Sequence, residues 1–162
     1  MPNSCLDNRN MINLVTYALV LLFLILVLSA TLTNIITKKI KRSIPKFGKT
    51  TVLQDAEIHW YEAGQGRPII MLHGLAGNLR NFTYSLTEQL DKDYRVIAID
   101  RAGCGWSKRS KHENATLQGQ ARIISEFIEK EEIEKPLIVG HSLGGAIALA
   151  LALEHKDKIS GL

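Results

Sequence analysis

The chain has 162 residues, 46% of them apolar, and a formal net charge of +4. That charge is unevenly held: residues 38–49 carry six basic side chains (Lys38, Lys39, Lys41, Arg42, Lys46, Lys49) and no acidic one, whereas beyond position 50 thirteen Lys/Arg face fifteen Asp/Glu, a balance of −2. The globular part therefore gives no electrostatic reason to expect nucleic acid, and Cys5 and Cys104, far apart and without a Cys-x-x-Cys pair, argue against a metal site or a disulfide framework.

Residues 1–10 form a nearly neutral flank, with Asp7 offset by Arg9. Residues 11–37 then contain no charge, and twelve of the fifteen residues in 14–28 are Leu, Ile, Val or Phe. Together these twelve favour membrane insertion by roughly 4–7 kcal/mol, and the stretch exceeds the ~20 residues that span a bilayer. A cleaved signal peptide is the competing reading. It wants a basic leading region and a shorter apolar run, so 11–37 is read as a single transmembrane helix. The basic juxtamembrane linker, 38–50, suits anionic headgroups. Positive-inside then places it, and the globular part that follows, on the cytoplasmic side.

From 51 to 162 the pattern changes. Residues 51–53 and 57–61 read as two antiparallel strands, followed by the turn 63–66. Residues 68–72 are a continuous apolar run, as expected of a strand buried on both faces. One helix is expected next, with Leu79, Phe82, Leu86 and Leu90 on one face. Residues 94–99 are the next strand and 108–113 a polar loop. Asn114 or Thr116 is a candidate cap for a helix carrying Leu117, Ala121, Ile124 and Ile128. Residues 137–139 are a strand, a helix runs to about 154, and 159–162 looks like the start of another strand. Strands alternating with amphipathic helices imply an α/β fold, a mostly parallel sheet with helices on both faces. The loops 73–78, 100–107 and 140–145 then all lie at carboxyl ends of strands, where such sheets bind ligands.

The last of these loops carries chemistry. Gly140-His141-Ser142-Leu143-Gly144 stands between an apolar strand and an Ala/Leu-rich helix, which is the setting of a nucleophile elbow. Ser142 then sits at the apex, over a helix N-terminus whose positive end favours developing negative charge. Gly140 and Gly144 are expected to keep side chains out of the turn, and Gly145 to let the helix approach the strand. The Leu143 amide is a candidate oxyanion donor.

With His73-Gly74, Asp100-x-x-Gly-x-Gly-x-Ser107 and Gly140-His-Ser-Leu-Gly144 in this order and spacing, residues 51–162 resemble the α/β-hydrolase family. The anchor and basic collar are similar to membrane-bound monoacylglycerol-lipase-like members. The resemblance implies Ser142 as nucleophile and the backbone amides of Leu143 and Leu75 as the oxyanion hole. A serine rather than an aspartate argues against the dehalogenase and epoxide-hydrolase branches. Ala102 stands where the family usually has proline, which would loosen that loop. The family order of serine, acid, histidine finds no acid or histidine in a late loop here, so the chain is expected to be the N-terminal part of a longer domain, stopping at its sixth strand.

The remaining candidates are read as structural. His73 and His141 flank the site, His59 lies on a peripheral strand, His112 in a polar loop, and His155 at the far end of the helix that starts at Ser142. Asp100 is expected to shape a loop rather than serve as triad acid. Asn81-Phe-Thr and Asn114-Ala-Thr fit a glycosylation sequon by chance. The function expected of the full-length protein is that of a membrane-anchored serine hydrolase (esterase/lipase-like) acting on a carboxylic ester, with acylglycerols and other amphiphilic esters favoured by the anchor; the chain by itself is expected to be inactive. The alternatives are a non-catalytic binding protein of the same fold and an inactive truncated product. No cofactor or metal is expected. The expected partners are a small-molecule or lipid ester and the membrane, with oligomeric state left open.

Overall fold

A computed structural model describes residues 4–110 and 113–162 of the chain; His112 lies outside them. The chain divides into two compact units, the first ending at Pro45 and the second running from Lys46 to Leu162.

The first unit is one helix, α1 (Ser4–Ser43). Its stretch Arg9–Ile40 has a mean hydropathy of 2.7 and is long and apolar enough to cross a membrane. The helix continues through the basic residues to Ser43, so only 44–48 are irregular before the first strand. Within the apolar stretch the hydroxyls of Thr16, Ser29, Thr31 and Thr33 donate to backbone carbonyls three or four residues back. Each of these four hydroxyls thus has an acceptor on its own helix, as a hydrocarbon surrounding would require.

The second unit is built on a sheet of β1 (Lys49–Val52), β2 (Ala56–Ala63), β3 (Arg67–Leu72), β4 (Tyr94–Ile99), β5 (Lys108–Arg109) and β6 (Leu137–Gly140), in the order β1-β2-β4-β3-β6 with β5 on β2. The sheet is mixed rather than mostly parallel. β3 pairs parallel with β4 and β6, but β2 pairs antiparallel with β1, β4 and β5. The short turns after β1 and β2 leave no length for a crossover, so that half must be antiparallel. β5 falls inside the stretch expected to be loop. Beyond β6, Leu137 and Gly161 form a parallel bridge, and Ile138 N–H donates to the Gly161 carbonyl at 3.0 Å.

Helices cover both faces. On one side α4 (Leu117–Lys130) and α5 (Leu143–Glu154) pack on Ile58, Trp60, Ile70, Leu72, Ile97 and Ile99, with the Trp60 and Phe127 rings edge to face at 5.4 Å. On the other, Leu79 and Phe82 cover Ile69, Met71, Val96 and Ala98. The alternation of these strand residues between two cores is the period of two that sends successive side chains to opposite faces. Thr116 caps α4 by accepting from Gly119 N–H at 3.0 Å. Leu117 faces solvent, and Ile123 and Phe127 widen the buried face.

The expected single helix after β3 is two short ones, α2 (Arg80–Thr83) and α3 (Leu86–Leu90). The chain leaves helical geometry at Ser85 (φ −153°), and Tyr84 is exposed. Leu79 and Phe82 are buried as expected, while Leu86 is on the surface.

Candidate active site

The carboxyl ends of β3, β4 and β6 bring three loops together. Ser142 follows β6, caps α5 and is exposed, with φ 54° and ψ −118°. For a non-glycine residue that conformation costs of order 1–3 kcal/mol. It is held in place because the Ser142 carbonyl already accepts from Gly145 N–H at 2.8 Å and Ala146 N–H at 3.3 Å, the first bonds of the helix. The turn is tight enough to exclude side chains. A Cβ on Gly144 would stand 2.0 Å from the Leu72 carbonyl oxygen, and one on Gly140 2.5 Å from the backbone of Gly144 and Gly145. The close approach of helix to strand therefore belongs to Gly144. At Gly145, where it was expected, a Cβ would meet its nearest neighbour at 3.4 Å, an ordinary contact.

The loop after β3 lies directly against this turn. A Cβ on Gly74 would be 3.2 Å from Ser142 Cβ and 3.1 Å from His141 Nδ1. Leu75 is exposed, and Ala76 adopts φ 55°. Among the described residues, neither the Leu75 amide nor the Leu143 amide donates a hydrogen bond within the protein, and the Ser142 hydroxyl has no hydrogen-bond partner.

The loop after β4 is organised by Asp100, which is buried. Its Oδ1 accepts from Leu79 N–H at 2.7 Å, and its Oδ2 from Trp106 N–H at 2.9 Å. His59 Nδ1 lies 2.8 Å from the same Oδ2, and His59 Nε2 is 2.5 Å from the Phe47 carbonyl. Ser107 closes the turn, donating to the Asp100 carbonyl and accepting from His59 N–H. Ala102 is buried and its carbonyl accepts from Gln120 Nε2 at 3.2 Å, so the loop is tied there despite lacking proline. Asp100 thus shapes the loop, as expected. His59 is no bystander on a peripheral strand, because it joins that carboxylate to the chain at Phe47.

His73 is fully buried. Its Nε2 accepts from Arg101 N–H at 3.1 Å, so Nδ1 bears the proton and donates to the Gly74 carbonyl at 2.9 Å. Burial, aided by the Arg101 charge and opposed by the Gly74 bond and Asp100, holds its pKa below the ordinary 6.5. His155 ends α5, remote from Ser142. The Asn114 side chain is buried, donating to the Asp55 carbonyl and accepting from Arg122; that of Asn81 accepts from Asn78 N–H.

A family model of the α/β-hydrolase fold matches residues 67–162. The chain belongs to the α/β-hydrolase family. It is 34% identical over 119 residues to the 2-hydroxy-6-oxo-6-phenylhexa-2,4-dienoate hydrolase of Comamonas testosteroni, covering 70% of this chain and 42% of that one. It is 31% identical over 106 residues to haloalkane dehalogenase 2 of Mycobacterium tuberculosis, covering 65% and 36%. Among solved structures, a variant of the meta-cleavage product hydrolase CumD superposes with a TM-score of 0.63 at 31% identity, covering 70% of this chain and 43% of that one. The chain spans about two fifths of the length of these curated α/β hydrolases.

Proposed function

We propose that this α/β hydrolase carries the nucleophile and oxyanion donors of a membrane-anchored serine hydrolase that cleaves carboxylic esters. The observation that carries the reading is Ser142: a non-glycine residue at φ 54°, exposed, on a helix N-terminus, beside two backbone amides that have no acceptor among the described residues. In this reading Ser142 Oγ attacks the ester carbonyl carbon, and its proton passes to a general base. The carbonyl oxygen becomes an oxyanion held by the Leu75 and Leu143 amides. Collapse expels the alcohol and leaves an acyl-serine, which water hydrolyses. A serine in place of an aspartate favours acyl transfer over displacement at an sp³ carbon. The relative from Comamonas testosteroni is named for an oxo compound, and a carbonyl carbon is what a serine alkoxide attacks.

The long apolar helix and the basic residues at its end support a single-pass anchor, with the catalytic unit cytoplasmic. Such tethering favours amphiphilic esters, acylglycerols among them. A fluorophosphonate probe is expected to label the full-length protein at Ser142, and Ser142→Ala to abolish labelling. A folded full-length wild type that stays unlabelled would overturn the enzyme assignment and leave the non-catalytic binding reading in its place.

A further inference from the structure

The loop that carries the Leu75 amide is held by a residue outside it. Arg101, buried at the end of β4, donates from Nε to the His73 carbonyl at 2.8 Å and from Nη2 to the Gly74 carbonyl at 2.9 Å. The guanidinium fork thus grips two successive carbonyls of the loop after β3. Among the described residues Arg101 makes no ion pair, although a buried charge without a carboxylate is costly to desolvate. Asp100, its neighbour in sequence, has both oxygens turned to other donors.

The Gly74 carbonyl and the Leu75 N–H belong to one peptide unit. No peptide bond among the described residues is cis, so this planar unit is trans and its N–H points opposite to its C=O. Three donors fix the carbonyl end: Arg101 Nη2 at 2.9 Å, His73 Nδ1 at 2.9 Å and Gly77 N–H at 3.3 Å. Whatever holds that oxygen sets where the Leu75 hydrogen goes. It also sharpens it as a donor, because hydrogen bonds accepted at one end of an amide polarise the other.

We propose that Arg101 is a positioning residue for the oxyanion site, which orients and polarises the Leu75 amide through the Gly74–Leu75 peptide plane. This rests on the reading of Leu75 as an oxyanion donor. Arg101 touches no substrate in this scheme. It acts at the carbonyl end of the peptide, opposite the N–H. A lysine at 101 would keep the charge but has a single nitrogen, which cannot reproduce the fork geometry.

The test uses the full-length protein in lipid nanodiscs, as wild type, Arg101→Met and Arg101→Lys. The first measurement is the N–H residual dipolar coupling of Leu75, with those of Leu143 and β3 as internal references. Arg101→Met is expected to change the Leu75 coupling while leaving the references in place; an unchanged Leu75 coupling overturns the proposal. This measurement needs no chemistry at Ser142, so it decides the clamp even if the hydrolase reading fails through an unlabelled wild type. The second is the rate of fluorophosphonate labelling at Ser142. Removing an oxyanion donor outright typically costs about 10²–10³, so an indirect loss of roughly tenfold to a hundredfold is expected for Arg101→Met, with Arg101→Lys between it and wild type. Labelling of Arg101→Met at the wild-type rate overturns the proposal. If Arg101→Met does not fold, Arg101→Lys carries both measurements: an unmoved coupling or an undiminished rate then rejects the clamp.

Discussion

His73 and Asp100, read as structural from the sequence, are fasteners in the fold. The Asp100 carboxylate meets one donor from each of β2, the start of the α2 segment and the turn before Ser107, which leaves it nothing to offer a catalytic imidazole. His73 is fixed as the neutral ring by the amide it accepts from and the carbonyl it donates to. Its folded pKa lies below 6.5, so below that pH the unfolded chain binds the proton more readily than the folded one. The stability His73 contributes is thus complete above 6.5 and is lost as pH falls toward its folded pKa. Two measurements check this: the ring is expected to titrate below 6.5 by NMR, and His73→Gln to have a flatter melting-temperature profile than wild type over that window. Ser142 could be found from five adjacent letters because the elbow is a local motif. Arg101 and His59 could not, since their partners lie 28 and 41 residues away, and only the register of β2 and β3 on β4 brings them together.

Among elements, the decisive approach is that of α5 to β3. Gly144 puts the helix backbone where no side chain fits, with its missing Cβ 2.0 Å from the Leu72 oxygen. Gly144→Ala must displace the helix or the strand, and overpacking of this kind typically costs about 1–3 kcal/mol or more. Gly145→Ala meets only ordinary contacts and gains helix propensity, so it should be neutral or stabilising by up to ~1 kcal/mol. Urea midpoints for the two variants check the contrast, and equal losses would remove it. The strands β3 and β4 and the helix α5 were legible because each is a continuous apolar run bounded by turn residues. The antiparallel half was only partly so. β5 is two polar residues that form a strand only because Ala56 and Glu57 are there to pair with. The helix expected over 79–90 fails for a similar reason. Its apolar spacing suits one helix, yet Leu79, Phe82 and the partly buried Leu90 cover Ile69, Met71, Val96 and Ala98, while Leu86 is on the surface and Tyr84 is exposed.

At the scale of the whole molecule, a sheet-based unit and an apolar helix share one chain. Arg9–Ile40, 32 residues, is about 48 Å long at 1.5 Å per residue, ample for a ~30 Å hydrocarbon layer. The full chain is accordingly expected to stay with membranes through a high-salt wash and to leave them in detergent. Protease applied to intact cells should spare residues 46–162; release by salt would refute the anchor, and cleavage beyond residue 60 from outside would reverse the topology proposed here. The order of the motifs made the fold legible at this scale, whereas substrate choice has no signature in the described residues. The backbone at Ser142 carries one further consequence. A turn at φ 54° suits glycine better than any other residue, so the fold would be more comfortable with no hydroxyl there at all. A lineage that abandoned the chemistry would be free to drift to glycine at position 142. Retention of serine among its descendants would therefore be a record of selection for reactivity acting against the preference of the backbone.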